Sequence, residues 1–195
     1  MRKIHKILGL IMLLPIIAWA ITGTYFFFKP GYQEAYQTLN VKTYPLAYVE
    51  KLPKGEWLET KQLNTVLGQH VMLKDKEQWH HFIMPSWQAI DTLSNKQVNA
   101  LVADAISVNK TRYGKIKSVT NNNILTTTNV AITLNWPQLS LRQQGQDTDF
   151  INTMYDIHYL RWTGYKTFDQ YLGVFGLLLI VVLAGVGTWM TITRK

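Results

Sequence analysis

Two long apolar runs bracket a polar middle, and this pattern organises the whole chain. The second run, Tyr171 to Ile192, reads YLGVFGLLLIVVLAGVGTWMTI and carries no charge over 22 residues. At ~1.5 Å rise per residue, a helix of that length is ~33 Å long, enough to cross a hydrocarbon core of ~30 Å. The first run, Ile7 to Phe28, is also 22 residues without a charge. It ends in Tyr25-Phe26-Phe27-Phe28, which reads as an interfacial aromatic belt, and Lys29-Pro30-Gly31 predicts its stop. A rival reading of this run is a cleaved signal peptide, with Arg2 to Lys6 as a basic leader and Ala18-Trp19-Ala20 as a small-x-small cleavage site. Apolar character continuing past Ala20 favours a full span, and Pro15 predicts a kink in it.

The two runs align without a gap when Leu8 is placed over Leu172. Gly9/Gly173, Ala20/Ala184, Gly23/Gly187 and Thr24/Thr188 then coincide, and eight of 18 positions are identical. If both termini lie on one side, the helices are antiparallel, and the shared frame predicts an inverted pair with close backbone approach at its small residues.

Between the runs, the pattern predicts an α+β domain. Gln33 to Leu39 continues as a short helix, and Tyr44 to Gly55 reads as a connection. Thr60 caps a helix through Leu63, Val66 and Leu67 that ends at Gly68. His70 to Lys74 and Glu77 to Met84 form a hairpin, followed by a strand at Trp87 to Asp91 and a turn at Ser94-Asn95. Asn95 to Asn109 gathers Val98, Leu101, Val102, Ala105, Ile106 and Val108 mostly on one face, the best helix of the middle. Ile116 to Val119, Val130 to Leu134 and Leu139 to Arg142 alternate as strands, separated by an Asn121-Asn122-Asn123 turn and by Trp136-Pro137. Phe150 to Trp162 reads as a helix capped by Asp149. The expected architecture is two antiparallel transmembrane helices flanking an α+β domain of one helix plus an antiparallel sheet. The segments are 1–6, 7–28 (span), 29–166 (domain), 167–192 (span) and 193–195.

Charge changes the picture mainly by where it lies. The formal net charge is +8, a value that on its own suggests nucleic acid. Five of the basic residues, Arg2, Lys3, Lys6, Arg194 and Lys195, flank the apolar runs, and the middle is only +3. That distribution argues against nucleic acid and places both termini in the cytoplasm by the positive-inside rule. With no cysteine in the chain, disulfides, thiolate metal sites and thiol catalysis are excluded.

Candidate chemistry rests on histidine, because no nucleophile motif, phosphate loop or HExxH pattern is present; no catalytic residue and no metal site is assigned, and the sequence leaves open whether the chain is an enzyme. His80 and His81 are adjacent on a predicted strand and point to opposite faces, so one is expected exposed and the other packed. His70 falls at a turn and receives no role. His5 and His158 each lie near the first turn of a membrane-linked helix, where a neutral imidazole can ligate haem iron. They stand on opposite sides of ~30 Å of hydrocarbon and cannot be the two ligands of one haem. Arg161, three residues after His158, is expected on the same helix face, paired with a haem propionate or a lipid phosphate. The alternative for each is structural: His5 in a basic anchor, His158 bonded within the junction, and Arg161 reaching to headgroups.

Arg2-Lys-Ile-His5-Lys-Ile-Leu-Gly9, Thr22-Gly23, the final Gly185-Val-Gly187-Thr-Trp189, and the block Asp156-Ile-His158-Tyr-Leu-Arg161-Trp together resemble the PepSY-associated transmembrane helix family of bacterial membrane proteins. The resemblance covers both spans and the block before the second one, and is weak in the middle. It implies an inner-membrane protein with a periplasmic PepSY-like domain. Longer members with more spans include ferrisiderophore reductases that carry b-type haem on membrane histidines, and by residue the family's histidines match His5 and His158. With two spans, the chain is expected to serve as an accessory or subunit in iron-linked electron transfer, sharing haem b with a membrane partner or a second copy. The alternative is a non-redox module that binds or regulates a periplasmic peptide, protease or envelope complex.

Overall fold

The computed structural model describes residues 2–47 and 51–193. The basic pair Arg194 and Lys195, and residues 48–50 of the predicted connection, lie outside the described residues. The chain divides into two compact units: a terminal unit of Met1–Gln33 with Asp147–Lys195, and a central unit of Glu34–Gln146.

The terminal unit is built on two helices of 27 residues, α1 (Arg2–Phe28) and α6 (Lys166–Ile192), each long and apolar enough to cross a membrane. Most of their apolar side chains are exposed, Leu10 at 73% and Val181 at 68% among them. Surface of that kind calls for lipid or a membrane partner as its solvent. Helix α1 runs unbroken through Ala18-Trp19-Ala20 and contains Pro15. It stops where expected, with Lys29 (φ 49°) and Gly31 (φ 76°) both in the left-handed region. His5 packs on Gly187, and Trp19 packs on Gly176, so α1 and α6 run antiparallel. The repeated glycine frame is used unequally: a methyl group at Gly173 or Gly187 would meet neighbours at 3.3 Å, whereas Gly9 and Gly23 of α1 have nothing within 4 Å. The frame therefore marks close approach on α6 and not a symmetric seam.

The central unit holds a short helix α2 (Tyr32–Ala35, straddling the boundary), two four-stranded antiparallel meanders, and two helices between them. The first sheet is β1 (Glu59–Thr65), β2 (Gly68–Lys74), β3 (Trp79–Ile83) and β4 (Gln88–Ala89). Helices α3 (Asn95–Ile106) and α4 (Lys110–Tyr113) follow. The second sheet is β5 (Ile116–Thr120), β6 (Asn123–Thr126), β7 (Ala131–Asn135) and β8 (Ser140–Gln144). Val98, Leu101, Val102, Ala105 and Ile106 of α3 are buried, as their spacing predicts, in a core shared with Met72 of β2, Ile124 of β6, Ile132 and Leu134 of β7, and Trp136. The helix ends at Ile106 rather than Asn109, and Val108, expected on the same face, lies past that end and is 67% exposed.

The structure differs from the sequence reading at several points. The helix expected from Thr60 to Gly68 is strand β1 and a two-residue turn, closed by the Thr65–Gly68 pair with Gly68 at φ 110°. Glu59, Lys61, Gln62 and Leu63 are good helix formers, so local preference is overridden by antiparallel pairing with β2, whose His70, Val71, Met72 and Leu73 are buried. His70 therefore lies inside β2 rather than at a turn. The short helix after the first span is limited to α2, and Asn123 opens strand β6 after a turn at Asn121-Asn122. The single expected sheet is thus two.

Helix α3 begins with a full capping box: Ser94 accepts from the Gln97 backbone N–H, and the Gln97 side chain accepts from the Ser94 backbone. Ser94→Ala should lower the unfolding free energy by about 1 kcal/mol. Urea unfolding of the two proteins measures this, and coincident curves would show that the box does not stabilise the helix.

Candidate functional site

Helix α5 (Gln146–His158) belongs to the terminal unit from Asp147 onward. It starts earlier than predicted and ends at His158 instead of Trp162. The reason lies in the next two residues. Leu160 is left-handed at φ 53° and 3% exposed, and the Arg161 N–H turns back to the Asp156 carbonyl at 2.8 Å. Arg161 therefore does not share a helix face with His158, correcting the expectation from their spacing.

The reversal is locked from α6. Both the backbone N–H and the hydroxyl of Thr163 donate to Asp169 Oδ1, at 3.1 and 2.7 Å, and Asp169 is buried. Gly164 (φ 77°) completes the turn into α6. Gly176 leaves room for Leu160 and Trp19: a Cβ there would stand 3.0 Å from Leu160 Cδ1.

His158 is held by one face of α1. Thr22 Oγ1 lies 2.8 Å from His158 Nδ1, the Trp19 indole N–H donates to the His158 carbonyl, and the Phe26 ring meets the imidazole edge-on at 5.1 Å. Trp19, Thr22 and Phe26 are spaced by three and four residues, the repeat that aligns side chains along a helix. Tyr155 stacks on Phe26 at 4.5 Å and on Tyr159 at 6.0 Å, extending the aromatic wall. Nε2 of His158 makes no hydrogen bond among the described residues.

Beside this face lies a cavity of about 1000 Å³. Its lining combines Trp19, Val174 and Leu177 with His158, two cations (Arg161 and Lys166), two carboxylates (Asp156 and Asp169) and Gln170. That volume is at the upper end for small-molecule sites, and an apolar wall on one side faces a largely polar rim. Arg161 sits 5.1 Å over the Tyr159 ring and 3.8 Å from Asp156, with 58% of its side chain exposed. An ion pair so open to solvent contributes little, so its guanidinium stays available to an anionic ligand.

The structure thus brings two of the three predicted site residues, His158 and Arg161, to one cavity, and leaves the third apart. His5 is in the first turn of α1, with Nδ1 buried and unpartnered, against Gly187 near the far end of α6. Seventeen helical residues, roughly 25 Å, separate it from Thr22, so His5 and His158 cannot meet on one group. Sequence reasoning missed Trp19, Thr22 and Phe26; their shared spacing, the one available signal, is hard to see in a run where most residues are apolar.

A second polar cluster was also missed. In the central unit, Thr65 Oγ1, His70 Nε2, His70 Nδ1 and His81 Nε2 form a buried chain with contacts of 2.7 and 2.9 Å. The His81 imidazole stacks on Trp136 at 3.9 Å, and its Nδ1 is buried without a hydrogen-bond partner. Burial pushes His70 down to about 4, with the neighbouring His81 adding to the effect. Burial likewise pushes His81 down to about 4, opposed in part by the Trp136 backbone. His80, next in sequence, turns outward to Asp75 at 2.6 Å, as the strand alternation requires. Among the described residues, no cluster of three or more His, Asp or Glu is arranged to hold a metal ion.

A family model described as the PepSY-associated TM region matches residues 2–195. No curated protein and no solved structure matches the chain.

Proposed function

The chain belongs to the PepSY-associated TM region family, and from that premise we propose that it is a membrane-anchored haem b-binding subunit serving iron-linked electron transfer together with a membrane partner or a second copy. The supporting observation is the conjunction at His158: an imidazole held at Nδ1, with Nε2 unengaged, on the wall of a cavity that also carries Arg161 and Lys166. This donor set fits haem. The His158 imidazole would be the ligand, Trp19, Val174 and Leu177 would supply apolar wall, and Arg161 and Lys166 would meet propionates beside the carboxylates of Asp156 and Asp169. A haem bound there supplies one-electron transfer. The chain's own residues bind and orient: α1 holds the imidazole, the reversal at Leu160 brings Arg161 to the rim, and Asp169 fastens the loop between α5 and α6. Among the described residues His158 is the one histidine in this lining, so any further haem ligand would come from another chain. In this reading both termini face the cytoplasm, which the flanking positive charge supports, and the bacterial inner membrane and periplasmic central unit are what the family resemblance implies.

The test is haemin titration of the detergent-solubilised full-length protein. Wild type and His5→Ala should give a saturable shift of the haemin Soret band, whereas His158→Ala should lose that shift. A stable wild type whose titration gives only the spectrum of free haemin, and which is colourless when purified from haem-replete cells, would overturn the reading. It would leave the non-redox module that binds an envelope peptide or protease.

A further inference from the structure

Thr22 is a buried hydroxyl, 1% exposed, in the middle of the face that holds His158. Its oxygen lies 2.7 Å from the Ala18 carbonyl and 3.4 Å from the Trp19 carbonyl, as well as 2.8 Å from His158 Nδ1. A threonine has one proton to donate and two lone pairs to accept with. Carbonyl oxygens only accept, whereas an imidazole nitrogen can either donate or accept according to its tautomer. The two short contacts, to Ala18 and to His158, are both hydrogen bonds only when the hydroxyl proton goes to the Ala18 carbonyl and His158 Nδ1 carries the hydrogen; the longer Trp19 contact at most shares that proton.

We infer that Thr22 is a positioning residue that fixes His158 as the Nδ1–H tautomer, so that Nε2 is the nitrogen presented to a ligand. The inference rests on the cavity of the proposed function and deepens it by naming the atom and its determinant. Free neutral histidine favours the opposite tautomer, with hydrogen on Nε2, which has no lone pair to give a metal. The α1 face reverses that preference before any ligand arrives. Trp19 assists by tying the His158 carbonyl, which fixes the backbone from which the ring projects. The arrangement is the one that orients metal-bound histidines generally, in which the second ring nitrogen donates to a fixed acceptor.

The tautomer is observable without any cofactor. Haem-free full-length protein with ring-¹⁵N histidine, in lipid nanodiscs at a pH where imidazoles are neutral, should give a protonated Nδ1 and a bare Nε2 for His158, assigned by its loss in His158→Gln. Thr22→Val, nearly the same shape without the hydroxyl, should move the hydrogen to Nε2, and Thr22→Ser should restore the wild-type pattern. In parallel, Thr22→Val should weaken haemin binding about 10- to 100-fold, the usual effect of removing such a partner, with Thr22→Ser close to wild type. A wild-type His158 protonated at Nε2, or a Thr22→Val spectrum unchanged from wild type, overturns the inference. If the tautomer follows Thr22 as stated but no variant binds haemin, the haem reading fails while the assignment to Thr22 stands.

Discussion

Acidification from about pH 6.5 to about pH 4 should strip the central unit of several kcal/mol of stability, because two buried histidines stay neutral when it is folded. His70 and His81 are each held near 4 by burial, whereas the unfolded chain titrates them near ~6.5. Between those values the unfolded state binds more protons than the folded state, so the unfolding free energy falls with pH. The stabilisation is fully present above about 6.5 and is lost as the pH drops through about 4. One histidine shifted by about 2.5 units is worth about 3 kcal/mol over that window, and the second adds to it. The window is distinctive. Asp75, held down to about 2 by the backbone N–H of Gln78 first and then by His80 and the Glu77 N–H, loses its contribution only at lower pH. Unfolding free energies from urea titrations at a series of pH values measure the slope, and replacing both histidines by glutamine should flatten it. A wild-type profile that is level from about pH 7 to about pH 4 would refute the buried neutral pair.

Trp136→Ala should destabilise the central unit by about 3–5 kcal/mol, the range for emptying a large aromatic site in a core. Three losses combine. Trp136 is 2% exposed among residues of α3 and the second sheet, its indole N–H donates to the Ile90 carbonyl at 2.7 Å, and its ring covers the face of His81. Truncation also opens a path for water to the histidine pair, so the pH slope should shrink in the same variant. Trp136→Phe keeps most of the volume and should recover most of the stability, short of the one hydrogen bond. Circular dichroism during urea unfolding reads the effect. A loss below about 1 kcal/mol would mean that Trp136 does not bridge the two sheets.

The two spans, the helix α3 and most strands of the second sheet are visible in the hydrophobic pattern because each satisfies its own burial locally. Uncharged runs of 22 residues need no partner to be recognised, and the α3 face repeats with the period of the helix itself. Strand β1 was not visible. Its polar residues carry no alternation strong enough to announce a strand, and only hydrogen bonding to β2, a strand buried on both faces, selects the extended form. His70 was misplaced for the same reason: its burial follows from the register that sets Met72 opposite His81, which no single segment specifies.

At the candidate site, the sequence by itself determined the chemical inventory: which histidines exist, that His5 and His158 lie at opposite ends of a span, and that Arg161 follows close behind His158. The family followed from the same residues. Tertiary structure alone decided which of these groups share a cavity, because a left-handed Leu160 ends α5 and swings Arg161 off the helix face that spacing had given it. It alone set Thr22 against His158, 136 residues away. Local periodicity records which face of a helix is apolar, but a single hydroxyl within that face acquires its role only from the element packed against it.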